Sequence, residues 1–253
     1  MKKIAILVLI FSFSIASAQK NVIWFSISPY IGSGTSFFIH NESLNDNNVS
    51  FKFYSPSHTG SILFSLSYNQ NIGISIGSTY HYDTQRLKIF NTKNLKYIHE
   101  WIIFENYGFK ATFDLQTNTG LFINTGVYMT HRLLTMLYSP TGDFQTVDIS
   151  SQFPRWYPSL TIRTGIKPYM SQILDIDLGI QFNYSLKPLI NDNFYLTSNY
   201  FIHRIAQYHD PTLNILNTYL FIGIRYYIGY YGKSSCGKSV FIWNKSSIKS
   251  RFK

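Results

Sequence analysis

From Leu174 onward, the stretch Ile173-Leu174-Asp175-Ile176-Asp177-Leu178-Gly179-Ile180-Gln181-Phe182-Asn183-Tyr184-Ser185-Leu186-Lys187 alternates apolar and polar residues without a break. Only a β-strand, whose side chains point to opposite faces in turn, converts that period into two surfaces. Leu174, Ile176, Leu178, Ile180, Phe182, Tyr184 and Leu186 share one side. Asp175, Asp177, Gly179, Gln181, Asn183, Ser185 and Lys187 share the other. The run is long enough to cross the roughly 25 to 30 Å of a bilayer at a tilt, and we read it as a transmembrane strand.

Seven further segments repeat the pattern. Ile23 to Ile31 sets Ile23, Phe25, Ile27 and Ile31 against Trp24, Ser26, Ser28 and Tyr30, with Pro29 weakening the strand. Gly60 to Tyr68 and Ile72 to Tyr82 put Ile, Phe, Leu and Tyr outward and Ser, Gly, Thr and His81 inward. Ile98 to Leu115 places Tyr107, Phe109, Ala111, Phe113 and Leu115 outward, opposite Gly108, Lys110, Thr112 and Asp114. Its upstream part, Trp101 to Glu105, fits neither phase, and a β-bulge is expected to return Glu105 to the interior. Leu121 to Met129, Ser159 to Lys167 and Leu220 to Gly229 complete the set. The reading is all-β: an eight-stranded antiparallel up-and-down transmembrane barrel.

The connections support it independently. Asn69 to Asn71, Gln116 to Gly120 and Pro168 to Gln172 are short and turn-like, whereas Ser33 to Thr59, Asp83 to Tyr97, His131 to Pro158 and Pro188 to Asn217 are long. Short periplasmic turns alternating with long extracellular loops are the outer-membrane pattern, and both chain ends then fall on the periplasmic side. A soluble sandwich also alternates, but its polar face would be charged, and its strands usually run to about five or six residues. If Asn193 to Tyr208, rich in Phe and Tyr, forms its own hairpin, the barrel has ten strands; otherwise this stretch extends the rim as an aromatic surface.

Composition agrees. Charged residues make up 13% of the chain, against about 25% in soluble domains, and aromatics 18%, with 20 Tyr and 21 Phe. Lys2 and Lys3, the apolar run Ile4 to Ile15 and Ala16-Ser17-Ala18 predict a signal peptide over 1–18, leaving a barrel over 19–230 and a basic periplasmic tail over 231–253. No cysteine directly follows the apolar run, so a lipid anchor has no acceptor there, and no later stretch is long enough for a helical span. The net charge of +10, or +8 without Lys2 and Lys3, comes from dispersed residues and lacks the stripe that nucleic acid requires. The single Cys236 excludes an intramolecular disulfide. The tail carries Lys233, Lys238, Lys245, Lys249, Arg251 and Lys253 without an acid. It is read chiefly as a disordered extension, with contact to anionic lipid or to a partner left open.

The signal sequence, the Tyr-rich strands, Ser75-Ile76-Gly77-Ser78-Thr79-Tyr80-His81-Tyr82 and the closing Phe221-Ile222-Gly223-Ile224-Arg225-Tyr226-Tyr227-Ile228 resemble the OmpX/PorT-like outer-membrane β-barrel domain over about Asn21 to Tyr230. The resemblance implies the cell outer membrane. It carries no catalytic motif, and similar barrels include adhesins and secretion accessories.

Inward Arg163, Lys167, Asp175, Asp177 and Arg225 lie on three consecutive strands, where desolvation demands that charges pair; we expect a structural ion-pair plug. The lumen of eight strands is just wide enough for side chains to fill, which argues against an open pore. The competing function is a lipid A acylhydrolase or acyltransferase, for which His81 with Asp83 and Ser75 or Ser78 are the candidates. Ser78 has lipid-facing parity, Ser75 lies about 20 Å from His81 along the strand, and the His-x-Ser-Asn box of lipid A deacylases is missing. His81 is therefore read as a rim residue bonded to a neighbour. His99, His131, His203 and His209 lack ligand spacing, and no metal or cofactor is expected. The sequence thus predicts a monomeric, non-enzymatic barrel contacting outer-membrane lipid and, through its loops, an extracellular or envelope protein.

Overall fold

The computed structural model describes residues 22–39, 49–51, 55–91, 96–138, 146–171, 173–188, 214–233 and 239–243. Among them are β1 (Ile23–Ile39), β2 (Val49–Phe51), β3 (Pro56–Tyr68), β4 (Ile72–Asn91), β5 (Lys96–Gln116), β6 (Leu121–Tyr138), β7 (Thr146–Asp148), β8 (Trp156–Met170), β9 (Leu174–Ser185), β10 (Asn214–Lys233) and β11 (Ser239–Trp243), with one 3-10 turn at Ser150–Gln152. The signal segment 1–18, the cleavage site at Ala18, the stretch Asn193 to Tyr208 with its ten-strand alternative, and Cys236 lie outside the described residues.

Eight strands form the ring, in the order β1-β3-β4-β5-β6-β8-β9-β10, and β10 pairs back with β1. Every pairing is antiparallel. The β1–β10 seam runs from Ile23 opposite Tyr231 to Ile39 opposite Asn214 and skips Ser28 and Pro29. Proline has no N–H to give to that ladder.

The turns at one end are tight. Asn69 and Gln70 take φ of 50° and 64°, so β3 turns into β4 through two left-handed residues, the geometry of a hairpin whose twist matches its strands. Gly120, with φ 86°, closes the β5–β6 turn, donates its N–H to the Thr117 carbonyl and accepts from the Lys167 N–H. Val22 accepts from the Asn69 N–H, which fixes the start of β1 at this same end.

In the lower and middle barrel the faces are as the alternation predicts. Ile62, Phe64, Leu66, Ile74, Ile76, Phe109, Ile123, Val127, Leu178, Ile180, Leu220 and Ile222 are exposed outward, while Ser26, Ser28, Ser61, Ser65, Ser75, Thr112 and Asn183 are buried. The outward run from Ile72 to Tyr82 covers about 25 Å of membrane normal, at about 3.3 Å per residue and a tilt of about 40°.

Three of the four long connections prove to hold substantial strand among their described residues. β1 continues to Ile39, β4 to Asn91, β5 starts at Lys96 and β6 reaches Tyr138, with β2 added to the edge of β4 and β7 to that of β6. Above the membrane the polarity of the two faces inverts. Phe38, Leu87, Ile102, Phe104, Leu137, Ile149, Phe153 and Ile215 are buried, forming a small apolar core, while Arg86, Lys88, His99 and Trp101 lie on the outer face. Once the exterior is water, the apolar residues turn inward.

The same inversion corrects the reading of Glu105. It remains outward, in phase with Tyr107, because Phe104 and Asn106 are the buried neighbours. The register shift at this height belongs to β6, where Glu105 pairs with Leu134 and Asn106 with Arg132, so that Leu133 is the extra residue. At the other end, β10 runs past Tyr230 to Lys233 and pairs with β11, so part of the stretch expected to be a tail is built into the sheet.

A charge placed on the lipid face tests this assignment. Ile76→Lys, at a side chain 62% exposed in mid-belt, is expected to lower folding stability in lipid by about 2 to 4 kcal/mol. Val147→Lys on β7, 47% exposed above the membrane, is expected to change it by no more than about 0.5 kcal/mol. Denaturant titration of the protein refolded into bilayers compares the two.

Candidate functional site

The lower lumen holds the charges singled out in the sequence. β8 supplies Arg163 and Lys167, β9 supplies Asp175 and Asp177, and β10 supplies Arg225, all buried. Lys167 Nζ donates to Asp175 Oδ2 at 2.7 Å and lies 3.8 Å from Asp177 Oδ1. The Arg163 and Arg225 guanidinium groups approach Asp177 Oδ2 at 3.7 and 3.8 Å. Arg225 is directly opposite Asp175 in the ladder, so its ion pair is the diagonal one, two residues along. Tyr227 donates to Asp175 at 2.7 Å. The Arg163 guanidinium also lies over the rings of Tyr30, at 4.7 Å, and Phe221, at 4.9 Å. Those ring faces offset part of a positive charge that Asp177 shares with two other cations.

Above this cluster a second polar link spans the barrel. Lys110 Nζ on β5 donates to Tyr30 Oη on β1 at 3.1 Å and to Gln181 Oε1 on β9 at 3.2 Å, and Tyr30 donates to the same Gln181 oxygen at 3.0 Å. Ser75 donates to Asp114 one level below. The rings of Tyr30, Phe122 and Phe221, with Leu63, fill the middle of the lumen.

The upper lumen is organised by Asp83. Its carboxylate accepts from Ser57, from Tyr219 Oη at 2.7 Å, from Asn217 Nδ2 at 3.0 Å and from Asn106 Nδ2 at 3.3 Å, so four donors from three strands, β3, β5 and β10, meet one buried charge. His81 lies beneath it, stacked on Tyr219 with centroids 5.5 Å apart and edge-on to Tyr128 at 5.0 Å. It is a buried ring two positions below Asp83, not a rim residue, and its Nδ1 makes no hydrogen bond among the described residues. Arg132, 4% exposed, is enclosed by Phe104, Phe153 and Tyr157 at 4.7 to 5.0 Å from its guanidinium carbon. Parity marks Lys110 and Gln181 as inward, but Arg132 lies in a stretch read as loop, and no local signal in the sequence brings it to these rings.

The candidates for chemistry stay apart. Ser75 is engaged by Asp114 and Ser65, Ser57 donates directly to Asp83, and His81 is packed between tyrosines. His131 packs at a tilt against Trp156, centroids 4.4 Å apart, and His99 lies elsewhere on the outer face, opposite Lys88. No group of three metal-ligating side chains occurs among the described residues, and His203 and His209 lie outside them.

A ring with no open edge in the membrane, apolar outside and polar within, decides the class and the location. The chain is an outer-membrane β-barrel protein. No family model matches it, and no curated protein does. Among solved structures it resembles Neisserial surface protein A (NspA), with 13% identity over 80% of this chain and 96% of that one, at a TM-score of 0.36. The attachment invasion locus protein Ail of Yersinia pestis shares 12% identity over 82% and 100% of the two chains, at 0.37. The outer membrane protein OprG of Pseudomonas aeruginosa shares 6% over 83% and 96%, at 0.32.

The lower cluster makes a direct energetic prediction. Asp177→Ala leaves Arg163 and Arg225 without their shared carboxylate and is expected to cost about 3 to 5 kcal/mol. Ser28→Ala removes a buried hydroxyl that has no hydrogen-bond partner among the described residues and is expected to stay within about 0.5 kcal/mol. Urea midpoints read by heat-modifiable gel mobility compare them, and an unchanged midpoint for Asp177→Ala removes the ion-pair account.

Proposed function

We propose that this chain is a monomeric, non-enzymatic barrel of the OmpX/PorT-like kind that holds an extracellular or envelope protein partner against the strand wall above the membrane, in adhesion or as an envelope or secretion accessory. The observation that carries the reading is the β4–β5 extension. Beyond Tyr82 opposite Glu105, the pair continues to Asn91 opposite Lys96, about 20 Å further from the membrane. Leu87, Ile102 and Phe104 of this extension are fully buried in the apolar core above the lumen, so it is a stiff wall.

Its outer face interleaves cations and rings. Arg86 lies over Trp101 at 4.4 Å and Lys88 over Tyr97 at 4.0 Å, while Tyr138 packs on Trp101 at 5.4 Å and Phe90 on Tyr97 at 5.1 Å. Large rings and arginine on a rigid support are the residue types that dominate binding interfaces, because they bury much area and lose little freedom. The filled mid-lumen leaves the outer surface as the place where a partner is met.

Photo-crosslinking on whole cells tests this reading. A Tyr97→Ser, Trp101→Ser variant is expected to lose at least about tenfold of partner capture, a hot-spot-sized loss, while heat-modifiability is retained because both side chains face outward. Lipid A from cells with and without the protein is expected to have identical acyl chains by mass spectrometry. A change in acylation that disappears in His81→Ala would reverse the conclusion in favour of a lipid-modifying enzyme.

A further inference from the structure

The periplasmic end carries a feature that neither the ring nor the outer wall uses. β9 begins at Leu174, opposite Tyr226, and the Ile173 carbonyl accepts from the Tyr227 N–H; beyond that, among the described residues, the rest of β10 has no ring neighbour on that side. β11 fills the gap, pairing Gly229 with Trp243, Tyr231 with Phe241 and Lys233 with Ser239.

The ladder pairings place β11 at the level of the lower membrane boundary. Phe241 is opposite Tyr231, which is opposite Ile23, which is opposite the outward Tyr68 at the end of β3. One step higher, Trp243 is opposite Gly229 in the row of Phe25 and Leu66. β10 accommodates this through a register shift at Ile228, after which Tyr230 turns inward against Trp24, at 4.8 Å, and Tyr231 faces out. Phe241 then packs edge-on against Phe25 at 5.3 Å and Trp243 at 5.0 Å. A Cβ on Gly229 would lie 2.7 Å from the Phe241 ring, so glycine is what lets that ring reach Phe25. Trp243 remains 62% exposed on this outward face. Tyr and Trp at such a level prefer the headgroup region, with an apolar body and a polar edge.

The surrounding sequence supplies one sign of charge. From Tyr231 to the last residue there are Lys233, Lys238, Lys245, Lys249, Arg251 and Lys253 and no acidic residue. Cations next to interfacial aromatics are attracted to anionic headgroups, and the attraction fades within a Debye length. We propose that the β10–β11 hairpin, with the basic segment that follows it, is a lipid-docking element that binds anionic phospholipid headgroups of the leaflet at the short-turn end of the barrel.

The single cysteine, Cys236, lies between β10 and β11 in sequence and takes one polarity-sensitive fluorophore without further engineering. The labelled full chain is reconstituted into vesicles of phosphatidylcholine, or of phosphatidylcholine with about a third phosphatidylglycerol. Symmetric leaflets make the insertion direction irrelevant. Emission is expected to shift to the blue with phosphatidylglycerol only, and to return on raising salt to about 1 M, where the Debye length falls to about 3 Å. Changing Lys245, Lys249, Arg251 and Lys253 to Gln is expected to abolish the shift and leave heat-modifiability unchanged. Emission independent of phosphatidylglycerol overturns the proposal. So does emission that follows the protein-to-lipid ratio, which would assign this face to a second copy of the chain.

Discussion

A backbone amide in hydrocarbon has no water to fall back on, and an open strand edge there leaves several kcal/mol of unmet hydrogen bonding per group. Everything in this molecule follows from closing that edge. The β1–β10 seam does so along almost the whole length of β1, and its one lapse, at Ser28 and Pro29, occurs where proline removes the donor. Below Tyr226, where β9 has not yet begun, β11 takes over the same side of β10. The start of β1, the end of β10 and the tight turns share one end because antiparallel strands that close in an even number must finish where they started.

The second governing fact is that the solvent outside the ring changes with height. In the membrane the outside is apolar and the inside takes Ser, Thr, Gly and paired charges; above it the outside is water and Leu87, Ile102 and Phe104 move inward. Period-two alternation continues through the boundary, but the sign of the pattern reverses. That is why eight strands were legible from Ile173 to Lys187 and its counterparts, while Trp101 to Glu105 looked out of phase. The local pattern was intact there, and the expectation of one lipid-facing parity throughout was not. Asp83 to Asn91 read as a loop for the same reason: Arg86 and Lys88 on its outer face are charged, as on any water-facing strand. His131 to Tyr138 read as a loop because its buried residues, Arg132, Thr135 and Leu137, share no polarity and the extra residue Leu133 breaks the period of two.

The interior was partly legible. Parity alone puts Arg163, Lys167, Asp175, Asp177 and Arg225 into one narrow lumen, and neighbouring strands keep them within reach. Contacts across the barrel depend on strand tilt and stagger, which no single stretch encodes. Lys110 meeting Gln181, or Asn217 and Tyr219 meeting Asp83, required the closed ring. Asp83 shows what closure achieves: a carboxylate that would be prohibitive alone is held by four donors that are distant in sequence.

These constraints separate the barrel into zones with different freedom to change. In the belt, outward residues are apolar or small and uncharged and inward ones must fit a filled lumen, so the range of tolerated substitutions is narrow. The zones that meet water are under neither demand on their outer faces. There the stiffness of the ring is passed upward through β4 and β5 and downward through β10, and side chains such as Trp101, Tyr97 and Trp243 are displayed on supports that do not have to be ordered again on contact. The part of the chain most constrained by the membrane is therefore the part that would make the proposed recognition at either end inexpensive in entropy.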